Sequence, residues 1–389
     1  MGDTSIEWTE RSWNPIVGCT IVSPGCTNCY AMGMADRFKD VYRGRKWAGA
    51  PAEAMTRRVN GKAVWTGQLT LAPDHILMEP LRRRKPTTYF VNSMGDLFHE
   101  DTPEEWIDRV VAVMALAELL HLCPPGADGR DKHIFQLLTK RAERMRSYLD
   151  RLPNRDDIIA DEADRIMGGK LPVELLVAVK RLVRMPLPNV WLGVSAEDQK
   201  RADERVPELL ATPAAIRFVS AEPLLGPIDF EGIRYPDGLR LDALSGLHFD
   251  SEGVVDGVYG NPDHKLDWII VGGESGPGAR PMHPAWARSI RDQCAAAGTA
   301  FFFKQWGEWL PGEANRGQLD ERPLFAYRRC DNHGYDWPEM HRLPASAVHN
   351  FGTHRDPWSG DLTSRRVGKK AAGRLLDGAE HNAMPEARR

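Results

Sequence analysis

Three of the six cysteines in this chain, Cys19, Cys26 and Cys29, fall in one short stretch, Gly18-Cys19-Thr20-Ile21-Val22-Ser23-Pro24-Gly25-Cys26-Thr27-Asn28-Cys29-Tyr30. Thiolate sulfurs hold a soft metal centre only when they converge, and a loop through Pro24 and Gly25 can fold Cys19 back onto the Cys26/Cys29 pair. The two-residue gap between Cys26 and Cys29 is the usual spacing for two thiolates on one centre. Three ligands fall one short of the closed four-cysteine zinc site and of the four-cysteine iron–sulfur site. Either a fourth donor comes from elsewhere or one coordination position stays open, and an open position implies chemistry. An iron–sulfur cluster is the expected occupant. The alternative is a zinc-binding, nucleic-acid-associated module that takes a distant His or Cys as its last ligand.

The setting favours a metal over a disulfide framework. The N-terminus, Met1-Gly2-Asp3-Thr4-Ser5-Ile6-Glu7, lacks a basic start and an apolar signal core, and no apolar run reaches the roughly 18–20 residues that span a bilayer. A cytoplasmic protein without a membrane partner is expected, where thiols stay reduced and clustered cysteines serve metals or redox chemistry. Cys123, Cys294 and Cys330 are scattered and read as ordinary small thiols. With 51 Lys and Arg against 54 Asp and Glu, the net charge of -3 gives no global sign of a nucleic-acid binder. The 42% hydrophobic content is enough for a sizeable core.

Positioning such a loop requires a scaffold, and the chain supplies one by repetition. Short β-rich apolar runs that end in small, polar or charged residues occur at 88–96, 133–140, 190–197, 216–223, 268–275 and 300–306. Helix-like segments lie between them, at 103–120, 142–149, 202–210 and 284–297. The first has Thr102 to cap it, Pro103 at its first position and Glu105 to complete a capping box. A further short strand, 13–18, leads into the cysteine loop. Alternating strands and helices predict parallel βαβ units in an α/β fold, a partial or full TIM-like (β/α) barrel with insertions and a C-terminal extension. The expected barrel runs over 1–310, with excursions or lids near 151–186 and 227–266, and the extension over 311–389. Ligands gather at the carboxyl ends of parallel strands. Ser93, Asp96, Lys140, Ser195, Glu197, Ser220, Glu222, Glu274, Ser275, Lys304 and Gln305 fall there. Helix capping accounts for some of these residues; together they have the composition of an active-site wall.

Other segments carry weaker signals. Residues 37–62 are basic and Gly-rich, with Arg43, Arg45, Lys46, Arg57 and Arg58 beside Tyr42 and Trp47, either a solvated loop or a flap that contacts phosphates and bases. Gly272-Gly273-Glu274 follows a strand, so its backbone can approach a ligand while Glu274 receives an amine or ribose hydroxyl; it is neither a dinucleotide fingerprint nor a P-loop. Cys330 and His333, near Tyr327 and Trp337, are too few for a second metal site. Residues 365–376 resemble a short basic amphipathic helix.

The cysteine loop together with these strand ends resembles the radical S-adenosylmethionine (radical SAM) superfamily. Most of the chain is similar to a phage and bacterial three-cysteine-motif family of unassigned function, through Trp13-Asn14-Pro15, 19–30, 92–99, 138–141, 188–197, 218–227, 271–281, 302–307 and 367–378. The resemblance implies a 4Fe-4S cluster on Cys19, Cys26 and Cys29, with S-adenosylmethionine on the fourth iron. It also implies reductive cleavage to a 5'-deoxyadenosyl radical, with an electron from a flavodoxin or ferredoxin. Tyr30 would pack against the cluster, and Asp96, Glu197, Glu222, Gly272, Gly273 and Glu274 would contact the cofactor or substrate. A nucleic-acid or nucleotide substrate, or a protein partner, is expected from the phage-like likeness. Two departures stand out: the superfamily's usual C-x3-C-x2-C has here a six-residue first gap, and Gly272-Gly273-Glu274 comes late in the chain instead of after the second strand.

Overall fold

Seven strands lie parallel in chain order, with β1 Arg11–Trp13, β2 Thr88–Val91, β3 Ile134–Thr139, β4 Val190–Ser195, β5 Ile216–Ala221, β6 Trp268–Gly272 and β7 Ala300–Gln305. Gly2–Asp3 adds an antiparallel strand beside β1. The computed structural model describes residues 2–42, 47–120, 132–235, 237–249, 263–311, 324–326, 341–343 and 363–386. Arg43, Arg45, Lys46, Cys123, Tyr327, Cys330, His333 and Trp337 lie outside the described residues. Five of the helices follow strands or the cysteine loop: α1 Tyr30–Tyr42, α2 Glu104–Leu120, α3 Ala142–Arg151, α4 Gln199–Ala211 and α5 Pro284–Ala297. The fold is α/β, a partial TIM-like barrel flanked by helices.

Alternation along each strand divides the side chains between two layers. Outward residues such as Tyr89, Val91, Phe135, Leu137, Val194, Val219, Ile269 and Val271 pack into the helical layer, where α2 is buried along most of its length. Inward residues near the amino ends are aromatic: Phe90, Trp191, Phe218, Trp268 and Phe302 close around Trp8, which enters from the N-terminal segment. Each such ring removed from water contributes about 1.5–3 kcal/mol. Gly193 of β4 leaves room for this floor, since a Cβ there would stand 2.4 Å from the Phe218 ring. One step further along the same inward rows come Leu138, Ser195, Ser220 and Lys304, so the period of two changes the interior from an apolar floor to a polar upper chamber.

Several expectations change in detail. The first strand stops at Trp13, before Pro15; Ile16–Val17 turns away to pair with Thr70–Leu71. The α2 helix forms without its cap, because the buried Thr102 hydroxyl finds no hydrogen-bond partner. The stretch near 151–186 is not a lid: helices Asp156–Ile166 and Val173–Val183 pack on each other and on α2, placing Ile159, Ala160 and Ala163 in the core. Around 227–266, a small sheet of Ile233–Arg234, Arg240–Asp242 and Leu247–Phe249 docks on α4 and α5. The predicted basic helix near 365–376 is a strand, Thr363–Arg366, followed by one helical turn, Lys369–Ala372. The chain then returns along β7, where Phe303 N–H donates to His381 O (2.9 Å) and Ala383 N–H to Phe301 O (3.2 Å), covering an otherwise open sheet edge. Among the described residues, no helix is long and apolar enough to cross a membrane.

The α5 helix carries a titratable cap. His283 Nδ1 accepts from Ala285 N–H at 3.1 Å, and burial, helped by Arg288, holds its imidazole down at about 4. The folded state therefore favours the neutral ring. Its stabilisation is present above the unfolded value of about 6.5 and is lost as pH falls toward 4. Melting temperature should drop across that window in the wild type, and His283→Asn, a cap that does not titrate, should flatten the drop; equal slopes in the two proteins would refute the assignment.

Candidate active site

The cysteine loop lies across the carboxyl ends of the strands, and glycines allow it to reach them. Gly18 has φ +110, and a Cβ on it would stand 2.1 Å from Gln68 O; its N–H donates to Met94 O at 3.1 Å, and Gly18 pairs with Gly95 in a parallel bridge. Pro24–Cys26 forms one 3-10 turn, Cys29 N–H donates to Cys26 O at 3.2 Å, and α1 begins at the next residue, Tyr30.

Three strand-end carboxylates hold this loop. Asp96, beyond β2, accepts from Thr139 Oγ1 (2.7 Å), Phe98 N–H (3.0 Å) and Lys140 N–H (3.2 Å), and from Arg141 Nη1 (2.9 Å). The same Arg141 reaches Cys19 Sγ (3.6 Å), Thr20 Oγ1 (2.5 Å) and Glu100 Oε2 (2.5 Å). Glu197, beyond β4 and fully buried, accepts from Gly25 N–H at 3.1 Å and from Arg205 Nη1 at 3.0 Å. Glu274, beyond β6, takes Arg280 in a fork through Nε (2.8 Å) and Nη2 (2.5 Å), and it also accepts from Asn28 Nδ2 (3.1 Å); Arg280 Nη2 donates on to Pro24 O (2.9 Å). Asp96, Glu197 and Glu274, expected to contact cofactor or substrate, thus spend their oxygens on positioning the residues that carry the thiols.

Under the loop lies a cavity of about 220 Å3 whose lining includes Cys19, Cys26, Cys29, Tyr30, Asp96, Lys140, Ser195, Ser220, Glu222, Gly273, Glu274 and Lys304. Tyr30, Ser93, Ser275, Lys304 and Gln305 also border a second cavity of about 720 Å3, so the two adjoin. Glu222 is the strand-end acid that faces the interior, paired with Lys304 Nζ (2.9 Å) and accepting from Ser220 Oγ (3.1 Å). Gly272 makes room for it: a Cβ there would stand 2.6 Å from Glu222 Oε1. Gly273 is required by packing, since its Cβ would stand 2.0 Å from Trp306 O. These glycines admit neighbouring protein groups where the sequence suggested a ligand. Tyr30 is half exposed, and its hydroxyl donates to Ser93 O at 3.2 Å.

The electrostatics follow from crowding at the loop. Burial and the Asp96 charge push the Cys19 thiol up to about 12 against the opposing effect of Arg141. Burial also raises Cys29, with Lys140 pulling the other way, and the charge of Cys26 raises both neighbours. Burial alone would raise Glu197, but Lys140, Arg205 and hydrogen bonds from Ser23 and Gly25 overcome it and hold the carboxyl below its usual range. Thiolates collected here need positive charge. Arg141 at Cys19 and Lys140 near Cys29 supply part of it, and soft metal ions would supply the rest. As the side chains stand, no three His, Cys, Asp or Glu residues among those described are close enough together to hold a metal ion. By donor chemistry, three thiols on one cavity beside two cations suit an anionic iron–sulfur centre.

Arg141, Arg205, Arg280, Asn28 and Thr20 were not singled out from the sequence. The available signal was position alone, because Arg141 follows the end of β3 by two residues and Arg280 the end of β6 by eight. Of the basic 37–62 segment, Arg58 is taken by Asp36 (2.7 Å) and Arg37 by Gly33 O (3.3 Å).

A family model described as a protein of unknown function (DUF5131) matches residues 3–385. The chain belongs to the DUF5131 family. The match runs from the strand beside β1 to the segment docked on β7, so loop, barrel and returning tail all fall within the DUF5131 span. No curated protein and no solved structure matches the chain.

Proposed function

We propose that this DUF5131 protein is a radical SAM-type enzyme of the cytoplasm, with Cys19, Cys26 and Cys29 holding a 4Fe-4S cluster and a flavodoxin or ferredoxin as reductant. The observation that carries this is that three cysteines line one cavity at the carboxyl rim of a parallel partial barrel, beside a larger cavity with which it shares lining residues. Cys19, Cys26 and Cys29 would hold the cluster, which would supply the electron for reductive cleavage of S-adenosylmethionine. The protein's own residues bind, orient and shield. Asp96 with Arg141, Glu197 with Arg205, and Glu274 with Arg280 fix the loop. Arg141 and Lys140 balance negative charge at the thiols. Glu222 and Lys304 present one acidic and one basic group to whatever occupies the cavity. The aromatic floor beneath excludes water.

Anaerobic purification tests the proposal. The expected product is a brown protein with about four irons and four sulfides that forms 5'-deoxyadenosine from S-adenosylmethionine after dithionite reduction. Cys26→Ala should reduce iron to background while circular dichroism stays that of the wild type. A colourless protein that holds one zinc ion, or a chromophore that survives Cys26→Ala, would overturn it.

A further inference from the structure

The inner cavity offers more hydrogen-bonding capacity than the protein uses. Buried polar atoms nearly always find partners, yet three on residues that line this cavity have none: Trp8 Nε1 on the floor, Asn92 Nδ2 just past β2, and Gln305 Oε1 at the end of β7. These residues are 4%, 3% and 6% exposed. The neighbours fix which amide atom is which. Asn92 Oδ1 accepts from Ile16 N–H (3.1 Å), leaving its NH2 over, and Gln305 Nε2 is turned to Gly273 O (3.5 Å), leaving its oxygen over. The unspent set is two donors and one acceptor.

Charge is not what this set reads, because the nearby Lys304 and Glu222 already neutralise each other at 2.9 Å. The floor is aromatic, with Phe90 edge-on to Trp8 at 4.8 Å between centroids. A planar ring that presents acceptors and an N–H along its edge matches both features, and a nucleobase has that chemistry. About 220 Å3 admits one base, and the adjoining 720 Å3 admits a sugar and phosphate.

We propose that the inner cavity binds a nucleobase, with Gln305 accepting from a base N–H while Trp8 and Asn92 donate to its carbonyl or ring nitrogen. This deepens the enzymatic proposal by naming a substrate class for the same site, and it rests on the cavity without requiring the cluster. The base is that of a nucleoside-containing substrate, and the adenine of S-adenosylmethionine is the competing occupant from which the test separates it.

The test titrates the full-length protein with adenosine, guanosine, cytidine and uridine, using saturation-transfer NMR and calorimetry, with S-adenosylhomocysteine as competitor and iron measured on the same sample. At least one nucleoside should bind. Gln305→Met should weaken it about 10-fold at the wild-type melting temperature, and Trp8→Phe, which removes the indole N–H together with the five-membered ring, several-fold with some loss of stability. Binding of a base other than adenine that persists beside S-adenosylhomocysteine assigns the cavity to substrate; binding of adenosine alone, displaced by the competitor, overturns the substrate assignment. Nucleoside binding by a protein without iron would support this proposal while sinking the radical one. No binding of any nucleoside, or binding unchanged in both variants, overturns it.

Discussion

Replacing Glu197 by alanine is expected to destabilise the protein by roughly 3–5 kcal/mol and to cost it its iron in the same step. Glu197 is fully buried, and its two oxygens face different tasks: one accepts from Gly25 N–H in the cysteine loop and the other pairs with Arg205. Removing the carboxylate strands a buried guanidinium, which keeps Ser195 O (2.7 Å) as a partner but loses its counter-charge. It also frees the loop at the turn that carries Cys26. Glu197→Gln keeps an acceptor for Gly25 without the charge, so it should fall between wild type and alanine. Because the folded carboxyl lies below its unfolded value of about 4.3, its contribution is complete above that pH and disappears as pH falls through the folded value. Urea melts at pH 7 and near pH 3, with iron analysis of each variant, check both parts. A Glu197→Ala protein with wild-type stability and full iron would show that the loop is held by other contacts.

The barrel was legible because its signals are local. A strand covered on both faces must be apolar on successive residues, so the runs over 88–96, 133–140, 190–197, 216–223, 268–275 and 300–306 stood out from their surroundings. The β1 strand was hidden because it has three residues before Pro15 and takes its stability from Thr88–Val91, far along the chain. The cysteines were legible for the same reason of proximity. What positions them was not, since Arg141 meets Cys19 across 122 residues and Asn28 meets Glu274 across 246. A carboxylate at a strand end looks the same in sequence whether it faces a ligand or an arginine. Of the four acids marked out, Glu222, Asp96 and Glu274 line the chamber, and Asp96, Glu274 and the buried Glu197 also hold the loop. At Gly272 and Gly273 the neighbouring Glu222 carboxylate and Trp306 carbonyl require glycine, a demand that reads the same in sequence as one made by a ligand. Gln305 shows the reverse: a neutral amide draws no attention in a sequence and matters here because its oxygen has no partner.

Arg141→Met should separate structural from electrostatic support of the thiols. The guanidinium is nearly buried and bonds at once to Asp96, Glu100, Thr20 and Cys19. Asp96 keeps its Thr139, Lys140 and Phe98 donors in the variant, so it remains hydrogen-bonded but loses its cation. The expected cost is about 1.5–3 kcal/mol, below that of Glu197→Ala, whose partner guanidinium keeps one carbonyl and no anion. At Cys19, burial and Asp96 already hold the thiol near 12, and losing Arg141 moves it further up. In metal-free protein at pH 8, the thiolate fraction falls, so alkylation of Cys19 by iodoacetamide, followed by mass spectrometry, should be slower than in the wild type. Arg141→Lys keeps the charge without the planar fork and cannot reach four partners at once, so it should recover most of the Cys19 rate and little of the stability. A double-mutant cycle with Asp96→Asn measures how much of the cost belongs to that pair. Should Arg141→Met leave the Cys19 rate and the iron content unchanged, the guanidinium would be a brace for Asp96 and Glu100 alone, and charge balance at the thiols would fall to Lys140.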